Sequence, residues 1–305
     1  MKPTLLILAA GMASRYGSMK QTDGFGPNGE TIIDYSIYDA IKAGFGKVIF
    51  IIREEFADNF KAIFEPKLNG KIETDYVFQS FDLKPFGIDE EIERAKPWGT
   101  AHAVLAARDA IKEPFCVINA DDFYGYEAYK KMFDFLTTEV KDDSFSMIGY
   151  QIDKTLSDHG SVSRGVCAVD GESNLTQINE RTKVYFKQPG IVAYEENEQE
   201  FILEPQTRVS MNFWGFTPKI FELSANMFKE FALANADNPK SEFFIPLVAE
   251  ELIKNKTASF KVIPTQNKWF GVTYKEDKPI VQASIDHLVQ TGVYPSNLWK
   301  LNTVA

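Results

Sequence analysis

Cysteine and histidine are scarce in this chain of 305 residues, with two of the first and three of the second. Cys116 and Cys167 sit in the apolar runs FCVIN and GVCAV, so both read as buried, reduced thiols. No C-x-x-C or H-E-x-x-H pattern occurs, and His159 and His287 have no partners at metal spacing, which argues against a zinc site. No apolar run approaches the length of a membrane span. The N-terminus shows no cationic stretch followed by an apolar segment and a cleavage site, and the cytoplasm is the expected location. Cations are also few: 33 Lys and Arg face 43 Asp and Glu, for a net charge of −10. A broad nucleic-acid footprint needs clustered Lys and Arg, so no nucleic-acid partner is expected.

Several catalytic patterns are missing as well. The phosphate loop G-x-x-x-x-G-K-[ST] is absent, and the opening stretch, residues 5–20, carries no dinucleotide fingerprint G-x-G-x-x-G. No G-x-S-x-G elbow marks an α/β-hydrolase. Asp121 and Asp122 are adjacent, and adjacent carboxylates do not flank a glycosidic bond. There is no linker rich in Pro, Gly or Ser, no low-complexity segment and no repeat.

What remains is an ordinary globular composition, 44% hydrophobic, with 25 Phe available for a core. The first half alternates strand and helix signals. Thr4 to Ala9 predicts a buried strand. Ile33, Ile37, Ala40 and Ile41 mark one face of a helix that Gly44 can end. Residues 47–52 predict a second strand, Phe56, Phe60, Ile63 and Phe64 a second helical face, and 75–79 a third strand. Thr100 is expected to cap the helix AHAVLAARDAI, and 114–120 predicts a fourth strand running into Asp121. Alternation of this kind implies a parallel sheet covered on both faces. Ligands of such sheets bind beyond the carboxyl ends of the strands. That rule gathers the loop after Ala9, the region after Gln79, and Asp121-Asp122 on one rim. The second half reads as short strands (GVCAV, LTQI, GIVAY, VSMNFWGF), helices near 218–233 and 243–254, a strand at 258–263 and a final helix near 278–291.

The opening stretch LAAGMASRYGSMKQ carries the chemistry. Ala9, Ala10, Gly11 and Ala13 let backbone approach a ligand closely, and successive N–H groups in such a turn make an anion-binding hollow. Arg15 can fork onto phosphate oxygens and Lys20 adds a point charge. Against a net charge of −10, a polyphosphate ligand also calls for a metal ion. Asp121 and Asp122, at a strand end on the same rim, offer the carboxylate oxygens that Mg2+ shares with phosphate.

These segments resemble the sugar-phosphate nucleotidyltransferases, the pyrophosphorylases that make nucleotide diphospho-sugars. LAAGMASRYGSMKQ is similar to that family's L-A-[AG]-G-x-G-x-R-x-x-x-x-x-K signature, with Ala13 in place of Gly. GPNGETIIDYSIYDAI, PWGTAHAV and INADDFYG resemble three further family segments in the right order, over residues 4–125. The likeness is fainter beyond 125. It implies an α/β, Rossmann-like three-layer α/β/α sandwich with a mixed, mainly parallel sheet. One domain over 1–305 is expected: a nucleotide-binding half (1–125), an acceptor-binding half (126–275), and a C-terminal helix and tail (276–305).

The resemblance also implies a reaction, in which a nucleoside triphosphate and a sugar 1-phosphate yield a nucleotide diphospho-sugar and pyrophosphate. UTP or dTTP is favoured, then CTP. Arg15 and Lys20 would be catalytic, Asp121 would hold Mg2+, and Ala9, Ala10, Gly11, Gln79, Gly99 and Thr100 would bind the nucleotide. By the same likeness, RGVCAVD, INERTKV and SMNFWGFTP place Gly165, Glu180, Arg181 and Asn212 on the acceptor, with Arg181 replacing a family Lys and Trp214 a family Gly. One departure stands out. Gly271, in KWFGVTYKED, occupies the place of a second metal Asp. The ion is then held by Asp121, phosphates and water, or by a carboxylate from elsewhere, or the chain is a non-catalytic sensor or subunit that binds nucleotide sugar. A cytidylyltransferase acting on a non-sugar phosphate is the other alternative. A homo-oligomer is compatible with the sequence.

Overall fold

A computed structural model describes residues 1–11 and 24–300. Four strands of the first half, β1 (Thr4–Leu8), β2 (Lys47–Ile52), β3 (Glu73–Phe78) and β4 (Phe115–Asn119), pair in parallel in the order β4-β1-β2-β3. In β1, β2 and β4 the residues are apolar in continuous runs because both faces are covered. Leu5, Ile7, Val48, Phe50, Cys116 and Ile118 enter one core, and Leu6, Ile49, Ile51, Phe115 and Val117 enter the other. Helices α1 (Ile32–Ala43) and α2 (Ala57–Leu68) cover the first face; α3 (Thr100–Ala106) covers the second. Gly44 ends α1 in the left-handed region, with φ 115°, as its place in the sequence predicts. Thr100 is the first residue of α3 and Gly99, with φ 99°, is its N-cap, so the expected threonine cap is not formed. The Thr100 hydroxyl instead accepts the Ile245 N–H at 3.2 Å.

The second half begins with a two-residue strand β5 (Asp122–Phe123), α4 (Tyr126–Thr138) and β6 (Ser144–Gln151). The sequence reading places no element over α4 or β6. Five strands follow: β7 (Val162–Val169), β8 (Leu175–Gln188), β9 (Ile191–Glu196), β10 (Gln199–Leu203) and β11 (Arg208–Phe216). Then come α5 (Lys219–Ala234), α6 (Ile245–Lys254), β12 (Ser259–Pro264), β13 (Phe270–Gly271) and α7 (Lys278–Gln290). Strands β10-β9-β8-β7-β11 are antiparallel, and β11 joins the parallel set through β4, so one sheet runs β10-β9-β8-β7-β11-β4-β1-β2-β3. Strand β6 pairs with β11 and, in parallel, with β12. Helix α4 packs with α1 and α2 on one face; α5 and α6 pack with α3 on the other. This is a three-layer α/β fold with a mixed sheet. Among the described residues, no helix is long and apolar enough to cross a membrane.

A small third core lies apart from the two faces. Strands β5 and β13 form a ribbon whose Phe123 and Phe270 stack at 4.2 Å, beneath α7 and Tyr294. Alternation along this ribbon leaves Asp122 and Gly271 on its opposite face.

Candidate functional site

The carboxyl ends of β1, β2 and β4 lie on one rim, since Leu8 is in register with Ile51 and with Asn119. Beyond that rim opens a cavity of about 650 Å3, bounded by β4, β7, β8, β11, the β5–β13 ribbon and the start of α6. Asp121, Thr100, Gly165, Glu180 and Asn212 all line it. Five sequence candidates, two from the first half and three from the second, therefore share one hollow, whereas Ala9, Ala10, Gly11, Gln79 and Gly99 are not among its described lining residues.

A hydrogen-bonded chain fixes its floor. Asn119, at the end of β4, donates from Nδ2 to Asp122 Oδ2 at 2.9 Å and accepts from Asn212 Nδ2 at 2.7 Å. Asn212 sits at an irregularity in β11, between Ser210 and Trp214, with a φ of 61°. Asn is one of the few residues that take such a conformation readily. Its Oδ1 accepts the Trp214 indole N–H at 3.1 Å, and Trp214 is wholly buried and is not among the residues that line the cavity. The Tyr124 hydroxyl lies 3.2 Å from Asp122 Oδ2 and 2.9 Å from the Met211 carbonyl. Burial, followed by the neighbouring charge of Asp121, pushes the Asp122 carboxyl up to about 7.

Gly271 faces this floor. A Cβ there would stand 3.1 Å from Asp122 Oδ1 and 3.2 Å from the Asp121 carbonyl oxygen, so a carboxylate at 271 would crowd the one at 122. Among the described residues, no group of three or more His, Cys, Asp or Glu is arranged to hold a metal ion. The oxygens of Asp121 and Asp122 instead suit a hard cation that takes the rest of its shell from water and substrate phosphate, which is the habit of Mg2+.

At the end of β1, Ala9 and Ala10 are buried, and Gly11 is exposed, with no atom of the described residues within 4 Å of the place a Cβ would take. Arg15 and Lys20 lie outside the described residues. Gln79 donates from Nε2 to the Gly99 carbonyl at 3.3 Å and lies 3.1 Å from His102 Nδ1. His102 is buried against Phe228 and Phe86; burial, then the Arg94 charge, lowers it to about 3, and it stays neutral. His102 thus serves to orient Gln79. Gly99 abuts the Phe243 backbone, where a Cβ would come within 2.6 Å of its oxygen. Trp98 is fully buried beneath the Arg94 guanidinium and beside Phe228, so it seals the core.

Ile178, Glu180 and Thr182 line the cavity from alternate positions of β8. Desolvation raises the Glu180 carboxyl and the Arg164 charge opposes it. Arg181 does not line the cavity; its guanidinium pairs with Glu196 and stacks on Tyr194 at 4.7 Å. The sequence reading missed Asn119, which looks like the end of an ordinary strand. It also missed Arg164, which lines the cavity from β7, is 7% exposed, and stacks on Trp269 at 4.8 Å.

A family model described as nucleotidyl transferase matches residues 6–277. No curated protein matches the sequence. Among solved structures, one similar chain is a Bacillus anthracis protein assigned as a glucose-1-phosphate thymidylyltransferase, in complex with a sucrose. It is 12% identical, covers 92% of this chain and 94% of its own, and gives a TM-score of 0.61. Another is an inositol-1-phosphate CTP transferase from T. maritima, 13% identical over 93% of this chain and 96% of its own, with a TM-score of 0.59. At such identities these structures speak to the fold. The family match spans most of the chain, and the protein belongs to the nucleotidyl transferase family.

Proposed function

We propose that this protein joins a nucleoside triphosphate, UTP or dTTP, to a sugar 1-phosphate. An oxygen of the acceptor phosphate attacks the α-phosphorus, a P–O–P diphosphate bond forms, and the α–β bond breaks to release pyrophosphate. The observation that carries this reading is the single cavity in which Asp121, from the parallel half, faces Glu180 and Asn212, from the antiparallel half. Such a reaction needs two anionic partners aligned in one place and charge stabilised on the leaving group.

Each residue has a task in this scheme. The backbone at Ala9, Ala10 and Gly11 takes the phosphates, and Arg15 and Lys20 balance charge on the departing pyrophosphate. Gln79 commits its amide N–H groups to Gly99 and His102, which leaves Oε1 to accept the ring N–H of uracil or thymine. Gly99 and Thr100 complete that end of the nucleotide site. A bound Mg2+, held by Asp121 and phosphate oxygens, supplies neutralising charge on the triphosphate. Glu180 and Asn212 take acceptor hydroxyls, and Gly165 keeps the floor low enough for the ring to settle.

The test is pyrophosphate release with Mg2+, crossing five nucleoside triphosphates with a panel of sugar, polyol and choline phosphates. Release confined to UTP or dTTP with a sugar 1-phosphate is the expected result. Turnover only with CTP and a non-sugar phosphate replaces the substrate assignment. Nucleotide binding without release from any pair favours the sensor reading.

A further inference from the structure

Arg164 is the only Lys or Arg among the described residues that line the cavity, where it meets four carboxyl-bearing residues: Asp121, Asp122, Glu180 and Glu250. Its guanidinium is held from three sides by oxygens of its own chain. Nε donates to Thr155 Oγ1 at 3.1 Å, Nη1 to the Ser163 carbonyl at 2.7 Å, and Nη2 to the Thr155 carbonyl. Trp269 covers one face of the ion at 4.8 Å. All three oxygens are neutral. No carboxylate among the described residues comes within ion-pair distance of it, although Asp122 and Glu180 are near enough to be felt. A guanidinium carries five N–H donors, so two are left over. Burying a charge without a contacting counter-charge is costly, and burial already lowers this arginine to about 10. Arg181, the cation that the sequence places on the acceptor, is spent on Glu196 outside the cavity.

We propose that Arg164 is the specificity-determining residue that receives an oxyanion of the acceptor, its phosphate monoester or a carboxylate. This rests on the reading of the cavity as an acceptor site. The arginine is preorganised: its plane is fixed before ligand arrives, so little side-chain freedom is lost when an oxygen fork meets its two remaining donors. The oxyanion supplies the counter-charge that the fold leaves out, and a neutral polyol alone does not.

The experiment compares wild type with Arg164→Gln, Arg164→Lys, Arg181→Gln and, as a surface-cation control on β8, Lys183→Gln. KM for acceptor and for nucleoside triphosphate are measured separately with glucose 1-phosphate and glucuronate 1-phosphate. For Arg164→Gln the expected rise in acceptor KM is at least ~30-fold, with the triphosphate KM within about twofold. A lysine lacks the fork, and Arg164→Lys is expected to raise the acceptor KM about fivefold; it carries the test should the Gln variant fail to fold. Equal rises for both acceptors assign the phosphate, and a rise for the glucuronate alone assigns the carboxylate. An unchanged acceptor KM, equal changes in both KM values, or a rise with Arg181→Gln in place of the Arg164 variants would overturn the proposal. A second arm stands apart from turnover. Methyl phosphate titrated calorimetrically into each protein should bind wild type and Lys183→Gln alike, and Arg164→Gln at least tenfold more weakly. Loss there without turnover from any pair fails the reaction and keeps the arginine's role; equal binding by all variants, with no rise in the acceptor KM for glucuronate 1-phosphate, fails the arginine.

Discussion

The two halves of the sheet place functional groups in different ways. In the parallel half, strands β1, β2 and β4 are buried on both faces, and most candidates lie just past a strand end, Ala9 to Gly11 after β1, Gln79 after β3 and Asp121 after β4, while Gly99 and Thr100 open helix α3. In the antiparallel half the candidates lie within strands, Gly165 on β7, Glu180 on β8 and Asn212 on β11, because only one face of those strands meets the cavity. The first half therefore presents backbone and loop, which suits phosphates that every nucleotide shares. The second presents side chains at a period of two, which suits selection of one acceptor among many.

That contrast can be attacked at its strongest point first. Asp121→Asn removes the carboxylate where the halves meet, and kcat should fall at least ~100-fold, with nucleotide binding by calorimetry losing its Mg2+ dependence. Gly99 locks the halves together through the Phe243 backbone. Gly99→Ala adds a Cβ at a φ of 99° against that backbone and should cost about 2–4 kcal/mol in urea unfolding. The parallel half also buries carboxylates. Asp39 on α1 is 1% exposed, and burial, eased by the Tyr294 hydroxyl at 2.7 Å, raises its pKa from 3.8 to about 7. The folded protein then keeps a proton that the unfolded chain gives up, so stability is greatest below about pH 4 and declines as pH rises towards 7. Relative to Asp39→Asn, the wild type should lose about 1.4 kcal/mol per pH unit across that window and level off above it. The antiparallel half also carries exposed pairs, such as Lys183–Glu195 at 3.1 Å. Lys183→Gln should change stability by less than about 0.5 kcal/mol, and 1 M salt should erase the difference.

The same contrast explains what could be read in the sequence. Runs such as LLIL, VIFII and FCVI admit only a buried strand once Gly and helix signals bracket them, so the parallel half was legible almost residue by residue. Helix α4 was open to the same reading, since Tyr129, Met132, Phe135 and Leu136 mark a helical face, and β6 is an apolar run. Strand β10 was not, because it lies at the sheet edge with no buried face to impose a pattern. In the site, motif position located Asp121, Gly165, Glu180 and Asn212. Strand geometry limits that approach at 180 and 181, since adjacent side chains point to opposite faces and only Glu180 reaches the cavity. Arg164 carries no pattern of its own; a lone Arg in a strand reads as solvated until the structure buries it. Gly271 is explained by its neighbours, for the space that a carboxylate would need there is already bounded by Asp122.

The most direct test follows the phosphorus atoms. 31P NMR of the protein with Mg2+, the productive triphosphate and its acceptor should show a diphosphate diester and pyrophosphate growing in equal amounts, with no growth in Asp121→Asn. Orthophosphate with a nucleoside diphosphate, or no new resonance although both ligands bind, would contradict the account.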